Sequence, residues 1–254
     1  MIVMRAVFLG TGTSYPDSER VQSGILIESK KTRLLLDIGS GVLHRLTQYE
    51  FDIRSIDAVF ISHFHIDHCA DFLPLVQTLW LSGYDRTLKL FAPPTVREWS
   101  RGVNDIAFKY LREKVMIETT PLKESHIVPI GDLTVVARPT LHGNYDTRAF
   151  RVECGENIIL YSADTAPCRD IIDLAKDSDL LIHECNWLDG PHPEGVHTSP
   201  SELARIAEEI DPTKIVLTHV SPEVVENKDK VIETVSRRTN AEVILGEDLM
   251  VLEL

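Results

Sequence analysis

The sequence predicts an α/β protein in which two β-sheets stack face to face with helices on their outer sides, a four-layer αβ/βα sandwich. Two observations carry that expectation. Short β-rich runs come first and helical periodicity follows, and this order occurs twice along the 254 residues. No low-complexity tract or Pro/Gly/Ser linker interrupts the chain, so residues 1–254 read as one unit.

In the N-terminal part, strands are expected at 6–10 (AVFLG), 24–29 (GILIES), 33–39 (RLLLDIG), 57–62 (DAVFIS) and 88–93 (LKLFAP). Helical spacing then covers 71–82 and 95–112. The second pattern, with Trp99, Phe108 and Tyr110, reads as a core-facing helix rather than a base-stacking platform, and Trp80 reads as core. In the second part the strands are 133–139, 149–153, 157–164, 179–184 and 214–220, with helices at 167–176, 199–210 and 222–237. The middle helix opens on Thr198-Ser199-Pro200-Ser201-Glu202, a capping serine followed by a proline at the first helical position.

Composition narrows the function classes. With 26 Lys+Arg against 39 Asp+Glu the formal charge is −13. General coating of nucleic acid needs a basic excess to displace counterions, so the charge argues against it and leaves room only for a local phosphate site. No apolar run approaches the roughly 18–20 residues that cross a membrane, so no membrane partner is expected. The opening MIVMRAVFLGTG reads as a first strand, because a signal peptide would want a longer apolar core and a small-residue cleavage site. Cys69, Cys154, Cys168 and Cys185 form no C-x-x-C pair and are too sparse for a disulfide framework. A reducing, cytoplasmic compartment is the expectation.

The chemistry concentrates in Ser62-His63-Phe64-His65-Ile66-Asp67-His68, where strand 57–62 ends and a helix is about to begin. Alternation puts His63 and His65 on one side of an extended segment. Asp67 and His68 lie at the turn into the helix, facing a second point nearby. Imidazole and carboxylate are the usual ligands of zinc and neighbouring metals; the plain alternative is a solvated His-rich turn. Three more residues follow β-runs in the same way: His142 after 133–139, Asp164 after 157–163 and His219 near the end of 214–220. Strand ends sharing one edge are where α/β proteins place their sites. An unpaired carboxylate at Asp164, ending an apolar strand, would be costly to bury, and a metal would offset that cost.

H-x-H-x-D-H followed by separated His, Asp and His resembles the metallo-β-lactamase superfamily, and within it the ribonuclease Z-like branch. The resembling stretches run nearly end to end: FLGTGTSYP at 8–16, LLLDIGSG at 34–41, SHFHIDH at 62–68, YSADT at 161–165, HEC at 183–185, His197-Thr198-Ser199 and LTHV at 217–220. The resemblance implies the metallo-β-lactamase fold with two divalent metal ions, zinc by default, with manganese and iron suiting the same mixed ligands. It implies that His63, His65 and His142 hold one metal, that Asp67, His68 and His219 hold the other, and that Asp164 bridges both. A hydroxide between the metals would be the nucleophile, with Asp67 orienting it, in a hydrolase acting on phosphodiesters. His197 would protonate the leaving alkoxide, oriented by Glu184; the plain alternative for His197 is an exposed loop histidine. The family often forms homodimers.

Other features have two readings each. Gly10-Thr11-Gly12 lacks the third glycine of a nucleotide fingerprint, and is either a tight turn or a loop whose amides contact phosphate. Arg151 is either the basic residue of the family's corresponding strand or an exposed strand charge. Trp187 is near enough in sequence to border a substrate pocket. His44, His126, His183 and His192 read as structural or surface residues. The resemblance has a gap: enzymes that mature transfer RNA carry a long flexible arm between the third metal histidine and the bridging aspartate. Only 22 residues separate His142 from Asp164. A short relative that acts on cyclic phosphates carries cysteine ligands near its N-terminus, and no cysteine precedes Cys69 here. The substrate expected is therefore a small or cyclic phosphodiester, or RNA. Thioester or lactone hydrolysis is the alternative chemistry, and a non-catalytic metal-binding scaffold the alternative of another class.

Overall fold

The computed structural model describes residues 4–254. In each half of the chain antiparallel pairing comes first and parallel crossovers follow, and this repetition builds two seven-stranded sheets. The first half runs β1 (Arg5–Gly10), β2 (Gly24–Glu28), β3 (Arg33–Leu36), α1 (Val42–Gln48), β4 (Ala58–Phe60), α2 (Ile66–Cys69), α3 (Phe72–Leu81), β5 (Thr87–Ala92), α4 (Val96–Arg101) and β6 (Met116–Pro121). The second runs β7 (His126–Ile130), β8 (Leu133–Pro139), β9 (Arg148–Cys154), β10 (Asn157–Tyr161), α5 (Arg169–Ala175), β11 (Leu180–Glu184), α6 (Pro200–Ile210), β12 (Lys214–Thr218), α7 (Pro222–Glu226), α8 (Lys228–Ser236) and β13 (Glu242–Leu245). The last strand, β14 (Val251–Glu253), returns to pair with β1 in the first sheet. The sheet orders are β14-β1-β2-β3-β4-β5-β6 and β13-β12-β11-β10-β9-β8-β7. Strands β3 to β6 run parallel to one another, as do β10 to β13.

Each sheet is covered on both faces, so its central strands are apolar on both. Phe8, Ile25, Leu34 and Phe60 meet Phe150, Ile159, Ile182 and Val216 between the sheets. Their neighbours Val7, Leu26, Leu35 and Val59 pack with Val42, Leu75 and Leu79 of α1 and α3. Leu160, Leu181 and Leu217 pack with Leu174, Leu203 and Val231 of α5, α6 and α8. Three apolar layers thus separate four structural ones, as the sequence predicts. Truncating a fully buried member such as Leu35 to Ala is expected to cost about 2–5 kcal/mol.

Elsewhere the expected elements are revised. The 95–112 helix breaks into α4, a π-type turn at Gly102–Ala107 and a short turn at Lys109–Leu111. Trp99 of this segment packs on Phe64 and Phe72, but Phe108 and Tyr110 stand exposed. Trp80 is not core either: it is 36% exposed, with the Lys114 ammonium 4.7 Å above its ring. Helix 222–237 is interrupted at Asn227, which ends α7.

Candidate metal centre

The parallel strands of both sheets end at one edge, where the chain turns sharply three times. Asp37 after β3, Ala163 after β10 and His219 after β12 all have positive φ, at 61°, 50° and 49°. Left-handed backbone costs a residue with a side chain roughly 1–2 kcal/mol, and such strain collects at functional sites. A fourth exit, from β4, leads through His63 and His65 into α2, a single turn that carries Asp67 and His68.

All the histidines and aspartates singled out as ligands come together there. His63, His65, His142 and Asp164 place one donor atom each within 4.8 Å of one another, and so do Asp67, His68 and His219. A third group, Asp164, His197 and His219, overlaps both. His63 Nε2 lies 2.9 Å from His65 Nδ1, and His142 Nε2 lies 3.3 Å from the same nitrogen. The two oxygens of Asp164 divide between the groups. Oδ2 is 3.8 Å from His63 Nε2 and 3.7 Å from His142 Nε2. Oδ1 is 3.2 Å from His68 Nε2 and 3.5 Å from His219 Nε2.

These separations suit a metal. Ligands about 2.0–2.1 Å from a tetrahedral ion stand roughly 3.3 Å from each other. His68 Nε2 and Asp164 Oδ1 are moreover buried without an aligned hydrogen-bond partner, although each is close to the other. Buried polar atoms are normally satisfied; two that converge on a shared point are what a cation between them requires. The electrostatics agree. Burial pushes His63, His65 and His142 below the ordinary imidazole range, which keeps their nitrogens free to bind. Burial opposes ionisation of Asp164, but His219 and His68 outweigh it and hold the carboxyl well below the usual range. His68 is the exception: Asp164 and Asp37 overcome its burial and raise it.

Asp37 is a participant that reading residues for ligands missed. It is fully buried, and its carboxylate accepts hydrogen bonds from the Ser62 amide and hydroxyl, His68 Nδ1 and the Tyr161 hydroxyl at 2.7–2.8 Å. It thereby fixes which nitrogen of His68 faces the cluster, as carboxylates behind metal-binding histidines do. The signal was present in RLLLD, an acid ending an apolar strand, the same pattern that marks Asp164. Gly39, two residues on, has a plain steric reason: a Cβ there would stand 2.0 Å from the Asp67 carbonyl.

Glu184 and His197 also meet. Glu184 ends β11 wholly buried and accepts the Thr165, Asn186 and Thr198 amides and His197 Nδ1, the last at 2.8 Å. Burial and the nearby Asp164 charge push its carboxyl up, while His219 and the amides pull it back. Burial lowers His197. The imidazole stands 4.9 Å from the His142 ring and 5.4 Å from the His219 ring, between the two donor groups. Directly after it, Ser199 and Glu202 close a capping box on α6, so the helix start anchors the loop.

Other expectations resolve against a site role. The Thr11 amide donates to Asp248 and the Gly12 amide to the Val21 carbonyl, so neither is free for a phosphate. The loop is a packing turn, and a Cβ on Gly10 would lie 1.7 Å from the Gln22 carbonyl. Arg151 is neither a site residue nor an exposed charge: it is mostly buried, bracing Glu153 and the Leu174 and Lys176 carbonyls at the end of α5. Trp187 does reach the site, edge-on to His197 at 4.9 Å. His183 is buried in the sheet and its pKa pushed down to about 4 by burial; His44 is exposed, His192 is half-buried against Trp187 and His126 lies on β7.

Known proteins share this arrangement. The chain is 26% identical to the ribonuclease Z of Methanosarcina mazei across 99% of its own length and 98% of that protein. The crystal structure of the metallo-β-lactamase fold protein YhfI from Bacillus subtilis superposes with a TM-score of 0.87 at 27% identity, covering 100% of both chains. The short form of human tRNase Z superposes at 0.80 with 23% identity over 98% of each, a likeness of fold. The family described as anti-Pycsar protein Apyc1 matches residues 4–239. From the converging ligands, the two-sheet frame and these matches together, the chain is a metallo-β-lactamase-fold hydrolase related to ribonuclease Z, and it belongs to the anti-Pycsar protein Apyc1 family.

Proposed function

We propose that the protein is a dinuclear metal-dependent phosphodiesterase acting on a small or cyclic phosphodiester. The observation that carries this reading is the Glu184–His197 pair standing beside a doubled ligand cluster. His63, His65 and His142 would hold one ion and Asp67, His68 and His219 the other, with the Asp164 carboxylate between the two groups. Bound there, two divalent ions supply an activated water and neutralise charge on the phosphate; zinc is the default, and manganese and iron suit the same ligands. Asp67 remains ionised, because His219 and His68 outweigh its burial. Its carboxylate orients the water and receives its proton. An imidazolium at His197 carries hydrogens on both nitrogens, so Nδ1 stays on Glu184 while Nε2 protonates the departing oxygen. A poor alkoxide leaving group needs that proton, whereas a thiolate leaves without it.

The small substrate follows from the path of the chain. Between His142 and Asp164 the described residues are occupied by β9 and β10, which leaves no place for an RNA-gripping arm. Ribonuclease Z relatives put short RNAs in the same screen. The four cysteines are free thiols, three of them buried, which suits a reducing, cytoplasmic setting; among the described residues no helix is long and apolar enough to cross a membrane. Exposed Trp80, Leu81, Ile106, Phe108, Tyr110 and Met116 offer an apolar surface for a homodimer, checked by sedimentation.

The test is steady-state hydrolysis of bis(p-nitrophenyl) phosphate after chelation and reconstitution with zinc, manganese or iron. Metal-restored turnover supports the reading. No turnover with any metal, despite two ions bound per chain, overturns it in favour of thioesters or lactones.

A further inference from the structure

Five rings form an arc along the ligand cluster. Tyr145 lies 5.7 Å from His142, His142 4.9 Å from His197, His197 4.9 Å from Trp187 and Trp187 4.7 Å from His192. The functional histidines occupy the middle, and Tyr145 and Trp187 flank them. Tyr145 also meets His65 edge to face, with ring centroids 4.0 Å apart. It is nevertheless 59% exposed, and among the described residues its hydroxyl has no hydrogen-bond partner.

Such a side chain is held in place without being needed by the core. The Tyr145 amide donates to the His142 carbonyl at 3.0 Å, closing a bridge between the two residues. The Gly143 amide donates to the Gly195 carbonyl at 2.7 Å, and His142 Nδ1 pairs with the Val196 carbonyl at 2.7 Å. These bonds tie the tyrosine's turn to the loop that carries His197. An ordered, exposed aromatic ring beside a polar reaction centre is positioned for a ligand.

We propose that Tyr145 is the platform on which a flat ring of the substrate stacks, and that this ring belongs to the group retained on phosphorus. The assignment of sides rests on the proposed phosphodiesterase reading. There His197 serves the leaving oxygen, with Trp187 next to it, so the departing group lies toward the tryptophan. Tyr145 is at the other side of the arc, over His65, and meets the portion that stays. The matching ligand is a nucleoside monophosphate unit: a phosphate for the centre and a planar base for the tyrosine. Aromatic stacking accepts any base, since each has a π-face.

Binding separates this proposal from the reading it rests on. Zinc-loaded protein is titrated calorimetrically with thymidine 5′-monophosphate and with methyl phosphate, which share the phosphate; the nucleotide adds a sugar and the flat base, and the Tyr145 variants tell the base's share from the sugar's. The wild type is expected to prefer the nucleotide by roughly tenfold. Tyr145→Ala removes the preference with methyl phosphate affinity and zinc content unchanged, and Tyr145→Phe keeps it. Equal affinity of the wild type for both ligands overturns the proposal, as does a preference that survives in Tyr145→Ala. Loss of zinc in Tyr145→Ala, or equal weakening of both ligands, also overturns it and makes the tyrosine a buttress for His65. Loss of the preference in Tyr145→Phe assigns it to the hydroxyl and overturns stacking. A preference without turnover of any phosphodiester overturns the phosphodiesterase reading and leaves the platform standing.

Discussion

Each half of the molecule contributes one buried carboxylate that holds one histidine, and the two pairs are put to different ends. Asp37, following β3 of the first sheet, and Glu184, ending β11 of the second, are both fully buried and both stand 2.8 Å from a histidine Nδ1. His68 is sealed from solvent, and its free Nε2 is aimed at Asp164. His197 keeps 11% of its side chain exposed, facing the open side of the cluster. In the proposed reading the same device presets a ligand where it is deep and a proton donor where it is shallow. A carboxylate decides which nitrogen is offered; depth would then decide whether a metal or a substrate receives it.

That contrast can be broken by mutation. The largest effect belongs to the proposed metal ligands. Asp164→Asn or His63→Ala should lower bound metal, measured by elemental analysis, and cut turnover by roughly a thousandfold or more, the several kcal/mol a metal contributes. Chelation of the wild type should match them. His197→Ala comes next: a loss of about 10²–10⁴-fold on alkyl leaving groups with metal content unchanged. The loss should shrink for p-nitrophenolate, which departs without a proton. A uniform loss across leaving groups would remove His197 from the proton-donor role.

The two carboxylates should then separate. Asp37→Asn should weaken metal binding by about 10–100-fold, seen by competition with a chelator. Glu184→Gln should leave metal content intact and lower turnover, most for alkyl esters. If Glu184→Gln strips metal or Asp37→Asn does not, the two pairs do one job. A last effect, read in stability rather than in turnover, concerns His183, a buried histidine that among the described residues has no carboxylate on its Nδ1, which pairs instead with the Glu184 carbonyl at 2.7 Å. An unfolded histidine takes a proton near pH 6.5, but burial pushes His183 down to about 4. Between these values the unfolded chain holds the extra proton, so stability falls as pH drops, by about 1.4 kcal/mol per pH unit. In chelated protein His183→Leu should flatten that slope in denaturant titrations at pH 4 to 6.5, with no change above.

How much was legible in the sequence varied with burial. The central strands announced themselves because both faces are covered and apolar. The strands that gave no signal, β6, β7, β13 and β14, are the four sheet edges. An edge strand pairs on one side and is less buried, so its pattern is weak: β6 is largely exposed and β7 contains Pro129, which edges tolerate. Helix α1 was missed for a related reason, since it begins at Gly41 in a left-handed conformation without a side-chain cap. By contrast α6 carried its whole start signal, Ser199, Pro200 and Glu202, and appears within a residue of the expected range. Tyr145 had no sequence signal, because its place beside His65 depends on a turn packed against another loop.

By itself the sequence determined the layers and the chemistry available at one edge, since apolar periodicity and His/Asp density are local properties of the chain. It also carried one whole fragment of the candidate site, His63 to His68, because a strand end and one helical turn suffice to arrange it. Tertiary structure alone decided that the two oxygens of Asp164 divide between the donor groups, that Asp37 stands behind His68, and that Glu184 reaches His197. Those relations join residues 13 to 101 positions apart. Such contacts exist only when two sheets, each insoluble alone on its inner face, bury that face against one another and bring their strand ends to a common edge.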